Sequence, residues 1–289
     1  MDRTPRSICS AGALLGEGPV WIDDALWFVD IKGKLLHRFA PENGGLTSWN
    51  APEQIGWILP MTDGGFMVGL ESGLHRFDAV DGRFALLAAH EADRPGNRLN
   101  DATVDAAGRL WFGSMDDAEA ADSGAIYRMD GLGIHRLIDG ISITNGPAIS
   151  PDGATLYHHD TLGGIVYASD LGPDGGLSNT RIFARITSSD GYPDGPTVDS
   201  AGCLWVGLYA GRGVLRYAPD GRLLEKVAFP VANVTKIAFG GPDLRTAYAT
   251  TARKGLDAAA LAAQPLAGNL FAFDVDVPGN PTPRIAWPT

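Results

Sequence analysis

A chain of 289 residues with a formal net charge of −11 is poorly suited to phosphates, which reward a basic face, and this argues against nucleic acid as a partner. Its hydrophobic fraction of 45% is that of a folded chain, and 38 glycines with 19 prolines fit an all-β protein with many tight turns. The two cysteines, Cys9 and Cys203, form no paired motif; no disulfide framework is expected, and Cys203 reads as a small core residue. No apolar run approaches the roughly 18 residues of a membrane span, and the N-terminal stretch lacks a long signal core. The expectation is a cytoplasmic protein without a membrane partner.

Two strand signatures alternate along the chain. The first is an Asp-led turn running into a short, mostly aromatic strand. It begins at Asp23, Asp63, Asp105, Asp152, Asp199 and Asp243, and leads into segments such as Leu26-Trp27-Phe28-Val29 and Leu204-Trp205-Val206. The second is a Gly-led strand, beginning at Gly33, Gly73, Gly124, Gly164, Gly213 and Gly268. Each recurs six times, the first at spacings of 40 to 47 residues and the second at 40 to 55, about the length of a four-stranded propeller blade. The fold predicted is all-β: a six-bladed β-propeller of antiparallel blades around a central channel, as a single domain over 1–289. Closing the ring needs one blade built from both ends of the chain, and the Ile8 region with Arg284-Ile285-Ala286-Trp287 supplies the expected pair. One helix is predicted, over Leu256–Ala262.

An oxygen-bearing side chain followed by Gly-Pro occurs three times, as Glu17-Gly18-Pro19, Asn145-Gly146-Pro147 and Asp194-Gly195-Pro196. A looser copy is Leu99-Asn100-Asp101. Each stands just before a first-signature strand, so blade symmetry carries all four to one mouth of the channel. Blade two offers Ile55-Gly56-Trp57 in that register, and blade six offers Val234-Thr235-Lys236. Turn chemistry accounts for a single Asn-Gly-Pro or Asp-Gly-Pro. It does not account for three equivalent copies, or for Glu-Gly-Pro. Two carboxylates crowded at a channel mouth repel each other, and a divalent cation resolves the conflict. Two carboxylates with amide oxygen suit a hard ion, and the absence of His from this register argues against a closed structural zinc site.

Gly16-Glu17-Gly18-Pro19-Val20-Trp21, Asn97-Arg98-Leu99-Asn100-Asp101, Ile143-Thr144-Asn145-Gly146 and Pro193-Asp194-Gly195 fall in order, one per expected blade. In these motifs the chain resembles the senescence-marker-protein/regucalcin and gluconolactonase family of six-bladed propellers. The resemblance covers nearly the whole chain. It implies that Glu17, Asn145 and Asp194 bind one divalent metal ion (Ca, Zn, Mn, Mg or Fe(II)), and that Arg98 and Asn100 contact substrate. It also implies hydrolysis of sugar-acid lactones, such as pentono- or gluconolactones, to the aldonic acid. The chain departs from the family pattern at Ala118, where an acid is often found after Gly113-Ser114-Met115; Asp117 or Glu119 can take its place.

The expected reaction has water as nucleophile, the metal as Lewis acid and Asp194 as general base. The donor fork of Arg98 suits ring hydroxyls or the growing carboxylate. The sequence leaves open a non-catalytic calcium-binding, regulatory propeller and a metal-dependent propeller hydrolase of other esters. No Gly-x-Ser-x-Gly elbow is present, which disfavours a serine hydrolase. His158-His159-Asp160 lies in a strand, where alternation prevents all three from sharing a site. Trp21 and Trp57 are candidates for core packing or for a pocket wall. The partner expected is a small sugar lactone, and the protein is expected to be a monomer.

Overall fold

The computed structural model describes residues 3–287, so Met1, Asp2, Pro288 and Thr289, the ends of the expected 1–289 domain, lie outside the described residues. Six four-stranded antiparallel sheets stand around a central axis as the blades of a β-propeller. The innermost strands are Gly16–Ile22, Ile55–Pro60, Asn97–Val104, Thr144–Ile149, Tyr192–Val198 and Val234–Gly240. Burial falls from the axis outward. The second strand of blade one, Ala25–Asp30, is buried throughout, whereas its fourth, Gly45–Asn50, is almost wholly exposed. Blades pack face to face through aromatic side chains, as where Trp27 stacks on Trp49 at 5.5 Å and meets Phe66 of blade two at 4.7 Å.

The Asp of the first signature has a local purpose. In blade five, Asp199 Oδ1 accepts the backbone N–H groups of Ala201 and Cys203 at 3.0 Å each, which closes the turn. Its Oδ2 accepts the Trp205 indole N–H at 3.0 Å and is held by Arg216. Blade three repeats the pattern with Asp105, Ala107, Arg109 and Trp111. One buried carboxylate thus satisfies the turn and fixes the aromatic anchor of the next strand.

Ring closure departs in part from the expectation. Arg6–Cys9 pairs antiparallel with Leu270–Asp274, so the Ile8 region does complete blade six. Arg284–Trp287 does not join that sheet, whose outer edge Arg6–Cys9 already occupies. Pro278, Pro281 and Pro283 lack the N–H groups a ladder requires, and they keep the segment extended. It becomes a strap beneath the ring. Pro278 accepts from Ser200 of blade five, Gly279 donates to Leu244 of blade six, and Thr282 donates to Trp21 of blade one. Ile285 then bridges to Met61 of blade two, and Ala286 donates to Gly108 of blade three at 2.9 Å. Ile285 is fully buried, so Ile285→Ala is expected to lower the unfolding free energy by about 2–4 kcal/mol, read as a lower denaturant midpoint at unchanged slope.

The helix spans Ala258–Ala263, slightly later than predicted, because Asp257 is its N-cap and accepts from Ala260 N–H at 2.8 Å. Cys203 is buried and Cys9 partly so, and both are free. Among the described residues, no helix is long and apolar enough to cross a membrane.

Candidate active site at the mouth of the channel

Every innermost strand carries a bulge at its upper end. In blade one Glu17 pairs with Val29 and Val20 with Trp27, so three steps on the inner strand oppose two on its neighbour. The same single extra residue occurs between Ile55 and Trp57, Leu99 and Ala102, Asn145 and Ala148, Pro193 and Pro196, and Val234 and Ile237. A bulge breaks strict alternation and re-aims side chains. Six of them at one level direct the motif residues toward the axis.

The glycines of the three Gly-Pro motifs are demanded by the neighbouring blade. A Cβ on Gly18 would lie 3.1 Å from the Gly56 carbonyl oxygen, one on Gly146 would lie 2.8 Å from Pro196 Cγ, and one on Gly195 would lie 2.6 Å from Lys236 Cβ. Gly18 and Gly146 also have φ of +53° and +86°, in the left-handed region that favours glycine. The oxygen-bearing residue faces the channel because the glycine beside it lets the next inner strand close in.

Glu17 and Asp194 are buried and near enough for each to act on the other's charge. Gly18 N–H donates to Glu17 Oε2 at 2.7 Å, and Gly195 N–H donates to Asp194 Oδ1 at 3.0 Å. Asn100 Nδ2 donates to Asn145 Oδ1 at 3.3 Å and to the Thr144 carbonyl at 2.6 Å. Thr161 fixes the amide of Asn145. Its hydroxyl donates to the Pro193 carbonyl at 2.8 Å and accepts from Asn145 Nδ2 at 2.9 Å, which fixes Oδ1 as the end turned to Asn100. Sequence reasoning missed Thr161, since it lies outside every repeated motif.

Arg98 forms the rim. It donates to Asn100 Oδ1 at 2.6 Å and to Asp117 Oδ1 at 2.7 Å. Asp117 also accepts from Lys32 and Gln54 at 2.6 and 3.0 Å. Partial burial opposes its charge, yet Lys32, Gln54 and Arg98 hold its carboxyl down to about 2. Of the two acids flanking Ala118, Asp117 is therefore the one that joins Arg98. Glu119 instead pairs with Lys254, in the loop of blade six.

Beneath this layer lies a pair the motifs did not announce. Lys236 Nζ meets Asp101 Oδ1 at 2.5 Å, and Asp101 also accepts the N–H groups of Ala102 and Gly146 at 2.8 and 2.9 Å. Both line the top of a cavity of about 310 Å³ that continues down the channel to the strap at Asn280–Pro283. Trp21 and Trp57 line that cavity, below the mouth; Trp57 is buried and Trp21 stacks on Tyr248 at 5.5 Å. His159 is buried behind Asp194, and burial pushes its imidazole down to about 3; His158 is pushed down to about 4 and stacks on Tyr167. Both rings are neutral near pH 7. Asp160 turns away to accept from Ser142, so the three residues do not converge.

Burial, followed by repulsion from Asp194 and Asp101, raises the Glu17 carboxyl well above its usual range. Burial likewise raises Asp194, to about 7, with Asp101 adding repulsion against the pull of Gly195 N–H and Lys236. Without a cation, then, this pair is poised to hold a proton. The donor set fits a hard divalent ion: two charged oxygens, one oriented amide oxygen, and a charge conflict that such an ion removes. Among the described residues no three His, Cys, Asp or Glu side chains gather into a metal cluster. A metal held here would depend on the amide oxygen of Asn145.

Residues 15–253 match the family model described as SMP-30/Gluconolactonase/LRE-like region. The chain is 37% identical to the 6-deoxy-6-sulfogluconolactonase of Pseudomonas putida, over 99% of this chain and 100% of that protein. It is 38% identical to the L-arabinolactonase of Azospirillum brasilense, over 94% and 92%. The crystal structure of a calcium-binding protein, regucalcin, from Agrobacterium tumefaciens superposes with a TM-score of 0.94 at 30% identity, covering 98% of each chain. The chain belongs to the SMP-30/gluconolactonase/LRE-like family.

Proposed function

We propose that this protein is a sugar lactonase that holds one divalent cation at Glu17, Asn145 and Asp194 and opens an aldonolactone to its aldonic acid. The observation that carries the reading is the unbroken set of hydrogen bonds from Arg98 through Asn100 to Asn145, alongside the carboxylate pair. Storage of a cation needs no such donors, whereas a polyhydroxylated ring does. The lactonase relatives support the same substrate class.

When bound, the cation supplies electrophilic stabilisation of the negative charge that develops on the lactone carbonyl oxygen. The chain's own residues do the rest. Asp194 accepts a proton from the attacking water as the new C–O bond forms, and returns it to the ring oxygen as the ester C–O bond breaks. Arg98 and Asn100 bind the ring hydroxyls and the emerging carboxylate. Asp117, fixed by Lys32 and Gln54, keeps the Arg98 guanidinium turned to the mouth. Neutral His159, behind Asp194, takes no part in proton transfer.

Acid release from a panel of five- and six-carbon aldonolactones tests the reading. Turnover should stop on chelation and return when one divalent metal is restored. Turnover that survives chelation, or no turnover with any metal, overturns it; calcium binding without turnover would instead favour a regulatory propeller, as the likeness to regucalcin suggests.

A further inference from the structure

We infer that Lys236, ion-paired with Asp101 beneath the carboxylate pair, is a built-in counter-charge that fixes the inner site at a net charge matched to a single divalent cation. Glu17, Asp194, Asp101 and Lys236 are all buried, so water screens none of them well. Once a cation displaces the proton of the carboxylate pair, three carboxylates against one ammonium leave a charge of −2. Nearby, Lys32 and Arg98 share the single carboxylate of Asp117, and the hydrogen bonds of buried Arg98 go to Asp117, Leu99 and Asn100 rather than to any of these four.

Lys236 is also built into the ligand layer. Its stem fills the space that a Cβ on Gly195 would need, directly beside Asp194. Asp101, in turn, accepts the N–H of Gly146, directly beside Asn145. The ion pair therefore touches the backbone next to two of the three proposed ligands, and its long side chain spans from blade six to blade three. In five of the six blades, the residues at the level of the bulge are neutral or acidic; Lys236 is the cation among them. Its role is positioning and charge balance, without contact to substrate.

This inference rests on the metal reading above, and its test separates the two. Calcium affinity is measured by titration calorimetry and terbium affinity by luminescence, on metal-free full-length protein whose fold is checked by circular dichroism. D101N leaves the inner site at −1 and should weaken calcium binding by at least about tenfold. K236M leaves it at −3 and should raise the preference for terbium over calcium by at least about tenfold. D101N/K236M restores −2 and should return both quantities to within about threefold of the unmodified protein. Should K236M fail to fold, the double variant, which buries no unpaired charge, still carries the comparison with D101N. Unchanged affinities in the single variants, or a double variant no better than D101N, overturn the charge-balance role alone. Failure of the unmodified protein to bind either ion overturns the metal reading and this inference together.

Discussion

Asp194→Asn is expected to lower kcat/KM on aldonolactones by roughly 10²–10⁴-fold, the range for loss of a positioned general base. A second readout distinguishes loss of chemistry from loss of fold. Burial raises the Asp194 carboxyl to about 7, far above its range in the unfolded chain. The folded state therefore holds a proton that the unfolded chain releases in mild acid. Stability from this group is present below the unfolded value and is lost as pH rises through about 7. Glu17, raised in the same direction, adds to the loss. Metal-free protein should thus melt at a lower temperature at pH 8 than at pH 6. Saturating divalent cation should raise the melting temperature more at pH 8, where no proton has to be displaced. In Asp194→Asn the difference between the two pH values should shrink, and the metal-free variant should melt higher than the unmodified protein at pH 8. A variant that keeps the full pH dependence would place the proton elsewhere.

Asp199→Ala is expected to cost about 3–5 kcal/mol of unfolding free energy, the range for removing one partner of a buried ion pair. Asp199 is fully buried and satisfies two turn amides, the Trp205 indole and the Arg216 guanidinium. Its loss strands all four. Asp199→Asn keeps one carbonyl oxygen and should recover part of the loss. The Arg216 guanidinium, 5.3 Å over the Trp205 ring, should lose its hold with it, and indole fluorescence in the native state would report that change. Equilibrium denaturation of both variants checks the difference. A midpoint within experimental error of the unmodified protein would show that the turn, rather than the carboxylate, fixes the tryptophan.

These two aspartates also mark how far the sequence could be read. The blades were legible because Asp199 and its counterparts recur a few residues ahead of a short, mostly aromatic strand. The ligand candidates Glu17, Asn145 and Asp194 were legible because blade symmetry gives an equal register an equal position. Lys236 stood in that register too, within Val234-Thr235-Lys236, but without the Gly-Pro that singled out the others. The usable signal was the register itself, since every inner strand bulges at that level. Thr161 acts only by orienting the Asn145 amide, and no pattern in one chain marks such a partner. Arg284–Trp287 was assigned to a sheet because Ile285 is apolar and must be buried. Apolarity requires burial, but it does not say whether a sheet edge or the underside of a ring provides it.

The pairing of Arg6–Cys9 with Leu270–Asp274 has a consequence for how the chain is made. Glu17 leaves the ribosome long before Lys236 and the strand that closes blade six. Until Val234–Gly240 arrives, Gly16 lacks the Thr235 hydroxyl that donates to its carbonyl at 2.6 Å, and Asp101 lacks its ammonium. Partial chains accordingly carry all three proposed ligands without the wall that holds them together. Synthesis interrupted anywhere before blade six yields a chain with no closed ring, whose open edges expose it to quality control. Emergence of blade six and assembly of the site become one event.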